Sequence, residues 1–245
     1  MAGVAAVLTV IGLLSGCQES EESEMVRHPG PEGSDHAEAG EIRVTFLGTS
    51  LTEGYGLDHP RDAFPGRIQA MADSAGYPVQ VTEVGVSGET SAGARERIEW
   101  VMSRPTDILV LEVGANDGLR SLDPSELERN LDTIVRRARE AEPEVRILLL
   151  GMKAPPNAGP EYARRFESAF ETVGGREDVA LGPFLLEGVA GEPELNQADG
   201  IHPTREGHAV MARTVWKALE PILEEVNEDE RPELADSLNA GANGG

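Results

Sequence analysis

The stretch Asp199-Gly200-Ile201-His202-Pro203-Thr204 sets a carboxylate three residues ahead of an imidazole, and Pro203 then opens the last helical pattern. On a tight loop that spacing lets the carboxylate reach Nδ1 of His202. It would fix the tautomer, stabilise an imidazolium and leave Nε2 facing outwards as a general base. Such a base needs a hydroxyl. Phe46-Leu47-Gly48-Thr49-Ser50-Leu51-Thr52 offers one, because an apolar strand-like run over 42–47 stops at a glycine with Ser50 just beyond it. In open α/β sheets the carboxyl edge of a strand is where ligands bind. Taken alone, Gly-Thr-Ser after a strand is a turn or a helix N-cap. Ser50 becomes a candidate nucleophile only in the company of His202 and Asp199.

Two further strand ends carry donors. Val84-Gly85-Val86-Ser87-Gly88-Glu89-Thr90-Ser91 is a glycine-bearing turn leading into a helix, and its backbone N–H groups can hold a developing anion. A tight βα turn reads the same way. Val113-Gly114-Ala115-Asn116-Asp117-Gly118 places the Asn116 amide past another strand, although Asn-Asp-Gly is also a common turn. Together the pieces describe acyl transfer. Ser50 attacks an acyl carbon, His202 takes its proton and returns it to the leaving group, and Asp199 orients His202. The N–H groups of Ser50 and Gly88, with the Asn116 amide, stabilise the oxyanion. The other histidines fit less well. His28 and His36 lie in a polar acidic segment, His59 in a polar loop, and His208 inside the last helix, as packing or surface.

The elements that must position these residues alternate. Short apolar runs at 42–47, 79–84, 107–113 and 145–150, with a weaker one at 179–181, suit a mostly parallel buried sheet. Helical patterns fall between and after them at 63–75, 91–102, 124–141, 162–173 and 204–226. In the third, Leu127, Leu131, Ile134, Val135 and Ala138 recur at helical spacing, with Asp123 as N-cap and Pro124 at the first position. Strands alternating with helices predict βαβ units and a three-layer α/β/α sandwich over residues 41–226. The substrate cleft is expected among the loops at 51–60, 115–122 and 153–160, with Leu119 and Pro155 as apolar wall residues.

The 245 residues carry 44 acidic and 21 basic side chains, a formal net charge of -23. Such a surface repels nucleic acid and anionic headgroups, which excludes a role in binding either. A high-salt habitat would account for it. The acidity is not confined to the ends, since -13 remains on residues 41–226. The one cysteine, Cys17, rules out an internal disulfide and any cluster of thiolate metal ligands.

Residues 2–14 are apolar, too short to span a bilayer and of the length of a signal-peptide core. They run into Leu14-Ser15-Gly16-Cys17, which resembles the lipobox of bacterial lipoproteins and implies cleavage before Cys17 and lipid attachment to it. The Lys or Arg that a signal carries before its apolar run is missing. Residues 1–17 are therefore expected to be a signal peptide with lipobox. Residues 18–40 read as a disordered acidic linker, and 227–245 as a disordered acidic tail. The expected location is outside the cytoplasm, with the membrane touched only through the N-terminal lipid.

Gly48-Thr49-Ser50-Leu51, the 85–91 turn with Gly88, Gly114-x-Asn116-Asp117 and Asp199-x-x-His202 resemble, in order, the four blocks of the SGNH (GDSL-type) hydrolases. The chain looks most like their bacterial arylesterase, thioesterase I and lysophospholipase branch, which the 151–162 and 183–186 stretches also resemble. The likeness covers nearly all of 41–225. It implies a flavodoxin-like fold with strand order 2-1-3-4-5, a Ser-His-Asp mechanism without metal or other cofactor, and a small acyl ester or thioester substrate. Thr49 stands where the best-known motif has Asp, so the hydrogen bonding ahead of Ser50 is expected to differ while activity survives. The Gly-x-Ser-x-Gly elbow of α/β-hydrolases is absent. A carbohydrate O-deacetylase would use the same site on another acyl carrier. A silent binding module on a surface lipoprotein would have no need of all three of Ser50, His202 and Asp199.

Overall fold

The computed structural model describes residues 41–176 and 178–242, with side chains as far as Glu228. The expected signal peptide, Cys17 and the expected linker over 18–40 lie outside the described residues.

Five strands, β1 (Ile42–Gly48), β2 (Val79–Gly85), β3 (Ile108–Glu112), β4 (Arg146–Gly151) and β5 (Val179–Phe184), form one sheet in the order β2-β1-β3-β4-β5. Every pairing is parallel, so this is the predicted doubly wound sandwich. β3 is buried along its whole length, as its apolar run over 108–111 demands when helices cover both faces, and the burial includes Glu112 at its end. The helices are α1 (Ser50–Glu53), α2 (Phe64–Ala75), α3 (Ser91–Val101), α4 (Ala115–Leu119), α5 (Pro124–Ala141), α6 (Pro160–Gly174) and α7 (Arg205–Ala242). α2 packs against α7 on one side, and α5 packs between α3 and α6 on the other. Leu127, Leu131, Ile134, Val135 and Ala138 of α5 are all buried, and Asp123 caps the helix by accepting from the Ser125 amide at 3.0 Å. Burying each of those larger aliphatic side chains contributes about 1.5–3 kcal/mol, far more than helix propensity does.

Two features differ from the sequence expectation. α1 and α4 are single turns in stretches read as loops, too short for any periodicity to announce them. Helical backbone also continues through Ala242, past Val226 where the last helical pattern was expected to end. The acids and Pro232 suggested a stop after Val226, but Glu, Ala and Leu are good helix formers and charge alone does not end a helix. Among the described residues no helix is long and apolar enough to cross a membrane.

The chain leaves β1 toward β2 on one side and later returns to β3 on the other. The strand order therefore reverses between β1 and β3, which is where open α/β sheets bind ligands. Gly48, Gly85 and Glu112 share one register level at that edge, so the loops after β1, β2 and β3 open side by side.

Candidate active site

Ser50 begins α1 directly after β1. Its Oγ lies 3.0 Å from Nε2 of His202, and Nδ1 of His202 lies 2.7 Å from Oδ2 of Asp199. The other oxygen of Asp199 accepts the amides of Ile201 and His202, at 2.9 and 3.0 Å. Asp199, with its backbone turn through Gly200 at φ +70°, thus builds the loop as well as orienting the ring. The His202 ring bond first, then these two amides, hold the Asp199 carboxyl well below the usual carboxylate range. It stays an anion wherever the imidazole works.

The three donors expected around Ser50 line the same cleft as Ser50 and His202. The amides of Ser50 and Gly88 have no hydrogen-bond partner among the described residues, nor has the Asn116 side chain. Gly88 reaches its position at φ +76°, open to glycine and strained for other residues. Its carbonyl accepts from Arg120 at 2.7 Å, and Arg97 holds Glu89 in the same turn while donating to the carbonyls of Gly48 and Val84. Next to Asn116, Asp117 is not a bare turn residue. Its buried carboxylate accepts the amide and hydroxyl of Ser91 at 2.8 and 2.6 Å, which ties α4 to the start of α3. Asn130 and Arg95 extend that network.

The cleft holds about 950 Å³. Leu119 and Pro155 line it as expected, joined by Met152 just after β4, Phe184 at the end of β5, Leu186 and Ile201. Lys153 lies over the Phe184 ring at 4.9 Å. Leu119 and Ile201 are exposed, which suits a wall that meets an apolar ligand. Among the described residues no three His, Cys, Asp or Glu side chains gather as a metal ion would need.

His208 is packing: buried, stacked near Phe64, and accepting the Phe64 amide on Nδ1 at 3.2 Å. Burial pushes it down to about 4. Sequence reasoning missed Tyr55, whose ring sits 4.4 Å from that of His202, and Gln197, which bonds the loops carrying both. It also missed Glu112, taken as part of an apolar strand. A lone carboxylate inside an otherwise apolar run was the signal available.

The profile of the GDSL-like lipase/acylhydrolase family matches residues 46–210. An esterase TesA of Pseudomonas aeruginosa is 38% identical over 181 residues, which cover 74% of this chain and 89% of that protein. A thioesterase 1/protease 1/lysophospholipase L1 of Escherichia coli is 33% identical over 184 residues, 74% of this chain and 84% of the other. Among solved structures, the crystal structure of TesA superposes with a TM-score of 0.69 at 35% identity, covering 73% of this chain and 98% of that one. The psychrotrophic esterase EstA from Pseudoalteromonas, solved with monoethylphosphonate as inhibitor, gives 0.69 at 26% identity, covering 74% and 98%.

Proposed function

The chain belongs to the GDSL-like lipase/acylhydrolase family, and from that premise we propose that Ser50, His202 and Asp199 carry its serine-esterase chemistry on acyl esters and thioesters. The observation that carries the assignment is the continuous path from Asp199 through His202 to Ser50, with contacts of 2.7 and 3.0 Å.

In the first half-reaction His202 Nε2 takes the Ser50 hydroxyl proton as Oγ bonds to the acyl carbon. Charge gathers on the former carbonyl oxygen, where the amides of Ser50 and Gly88 and the side chain of Asn116 stabilise it. Imidazolium is held by the Asp199 anion. It returns the proton to the departing oxygen or sulfur as the carbon–leaving-group bond breaks. Water then repeats the cycle on the acyl-enzyme, releasing the acid and restoring Ser50. The thioester reading is supported by the named activity of the Escherichia coli relative. The apolar wall supports an alkyl or aryl acyl group and gives a sugar carrier little to hydrogen-bond. Hydrolysis of a p-nitrophenyl acyl series and matching thioesters tests the reading. Turnover rising from acetate to medium chains is expected, and no turnover on any member would overturn it.

The same proposal extends to location. Leu14-Ser15-Gly16-Cys17 supports export and acylation at Cys17. Membrane attachment that persists in Cys17→Ala would refute the anchor.

A further inference from the structure

Glu112 ends β3, fully buried, and the mechanism above makes no use of it. Its carboxylate lies against the segment that carries Ser50. Oε2 accepts the Thr49 amide at 2.8 Å, the Thr52 amide at 3.2 Å and the Thr52 hydroxyl at 2.9 Å, while Oε1 accepts the Thr49 hydroxyl at 3.0 Å. Thr49 and Thr52 bracket Ser50. The first amides of a helix have no partner within it. Here Glu112 takes those of Thr49 and Thr52, and the Glu53 amide goes to the Thr49 carbonyl. The Ser50 amide stays available. No residue with a side chain fits at Gly48, since a Cβ there would lie 1.9 Å from Thr52 Oγ1 and 2.6 Å from Glu112 Oε2.

We propose that Glu112 is a positioning residue: by holding Thr49 and Thr52 it fixes the turn so that the amide and hydroxyl of Ser50 both face the cleft. This rests on Ser50 being the nucleophile.

The uneven loading of the two oxygens says what matters. Four donor contacts meet Oε2, the Thr49 hydroxyl also reaching it at 3.2 Å, and only that rotatable hydroxyl meets Oε1. A neutral carboxyl with its proton on Oε1 keeps every bond at Oε2 and donates to Thr49 Oγ1 instead. The requirement is an acceptor at the Oε2 position, in either ionisation state. Glutamine supplies one, and an aliphatic side chain does not.

The test compares kcat and KM of the wild type, Glu112→Ala, Glu112→Gln and the double variant Thr49→Val/Thr52→Val on one p-nitrophenyl ester, with folding checked by circular dichroism. Glu112→Ala should lose on the order of 10²-fold in kcat, as when an oxyanion donor is misplaced, with KM nearly unmoved. Glu112→Gln should restore most of it. The valine pair keeps the packing and removes two hydroxyl donors, and should lose about 10-fold in kcat. It decides the matter if Glu112→Ala does not fold. Wild-type kcat in the valine pair or in folded Glu112→Ala overturns the proposal, as does Glu112→Gln failing as badly as Glu112→Ala. A Ser50→Ala control that keeps full turnover would instead remove the nucleophile reading beneath it.

Discussion

The side-chain amide of Gln197 donates to the backbone carbonyl of Tyr55 at 2.8 Å, joining segments 142 residues apart. The same group donates to the Pro203 carbonyl at 3.0 Å, and the Gln197 backbone amide donates to the His202 carbonyl at 2.7 Å. His202 is thereby clasped on both sides and bound to the loop that follows Ser50. At Gly56, with φ +76°, a Cβ would stand 2.3 Å from Gln197 Oε1, so that loop closes only with glycine there.

Gln197→Ala should leave the fold intact and let the His202 loop drift from Ser50. Each lost hydrogen bond is worth about 1 kcal/mol, and small misplacements of a catalytic group cost disproportionately. The expected result is a drop in kcat of at least about 10-fold with KM little changed, read from steady-state ester hydrolysis. Unchanged kcat would show that the clasp has no part in holding His202.

Stability should depend on pH through two buried groups of opposite sign. Burial holds His208 neutral, down to about 4, while the unfolded chain charges it near 6.5. Between those values the unfolded state binds more protons, so this group makes stability fall as pH drops. Burial pushes Glu112 up to about 7 from 4.5. Between these the folded state binds more protons, so this group makes stability fall as pH rises. The contributions oppose each other between about pH 4.5 and 6.5, each with a slope of up to ~1.4 kcal/mol per pH unit. Urea titrations should show Glu112→Gln gaining stability with pH across that window and His208→Gln losing it. Slopes of the same sign in both variants would contradict the assignment.

Gly48→Ala is a sharper steric test than any cavity. The new methyl would meet Thr52 Oγ1 at 1.9 Å and Glu112 Oε2 at 2.6 Å, both held in place. Overpacking of that kind costs about 1–3 kcal/mol. It should also shift Ser50, so the urea midpoint and the ester turnover should fall together.

The apolar wall should set acyl preference. Leu119→Asp places a charge where an alkyl chain would lie, so KM for octanoyl esters should rise by about 10-fold or more. Acetyl esters, too short to reach the wall, should be cleaved as before. An equal effect on both would move the chain to another part of the cleft.

What was legible in the sequence was local. Ser50, Gly88 and Asn116 each follow a strand within a few residues, and Asp199 and His202 share one loop, so each motif could be picked out along the chain and the structure brings them to one cleft. The alternation of strands and helices carried the layers, the family resemblance implied the strand order, and the structure agrees with that order across all five strands. The supporting contacts were not legible, because they join distant segments. Glu112 meets Thr49 63 residues away, and Gln197 meets Tyr55 142 residues away. Neither spacing leaves a pattern along the chain. Asn116 was picked out as a donor beside the alternative of a plain turn, but nothing nearby showed that Asp117 accepts from Ser91 at the start of α3. Thr49 in place of Asp was expected to alter the bonding ahead of Ser50, and its amide and hydroxyl are both spent on Glu112.

The central claim is that Ser50 becomes acylated during turnover. Rapid acid quench of the enzyme with a p-nitrophenyl ester, followed by peptide mass spectrometry, reads it directly. The peptide containing Ser50 should gain the mass of the acyl group, and Ser50→Ala should show no adduct and lose roughly 10⁴-fold or more in kcat. Full turnover in Ser50→Ala, or an acyl group found on another residue, would contradict the account.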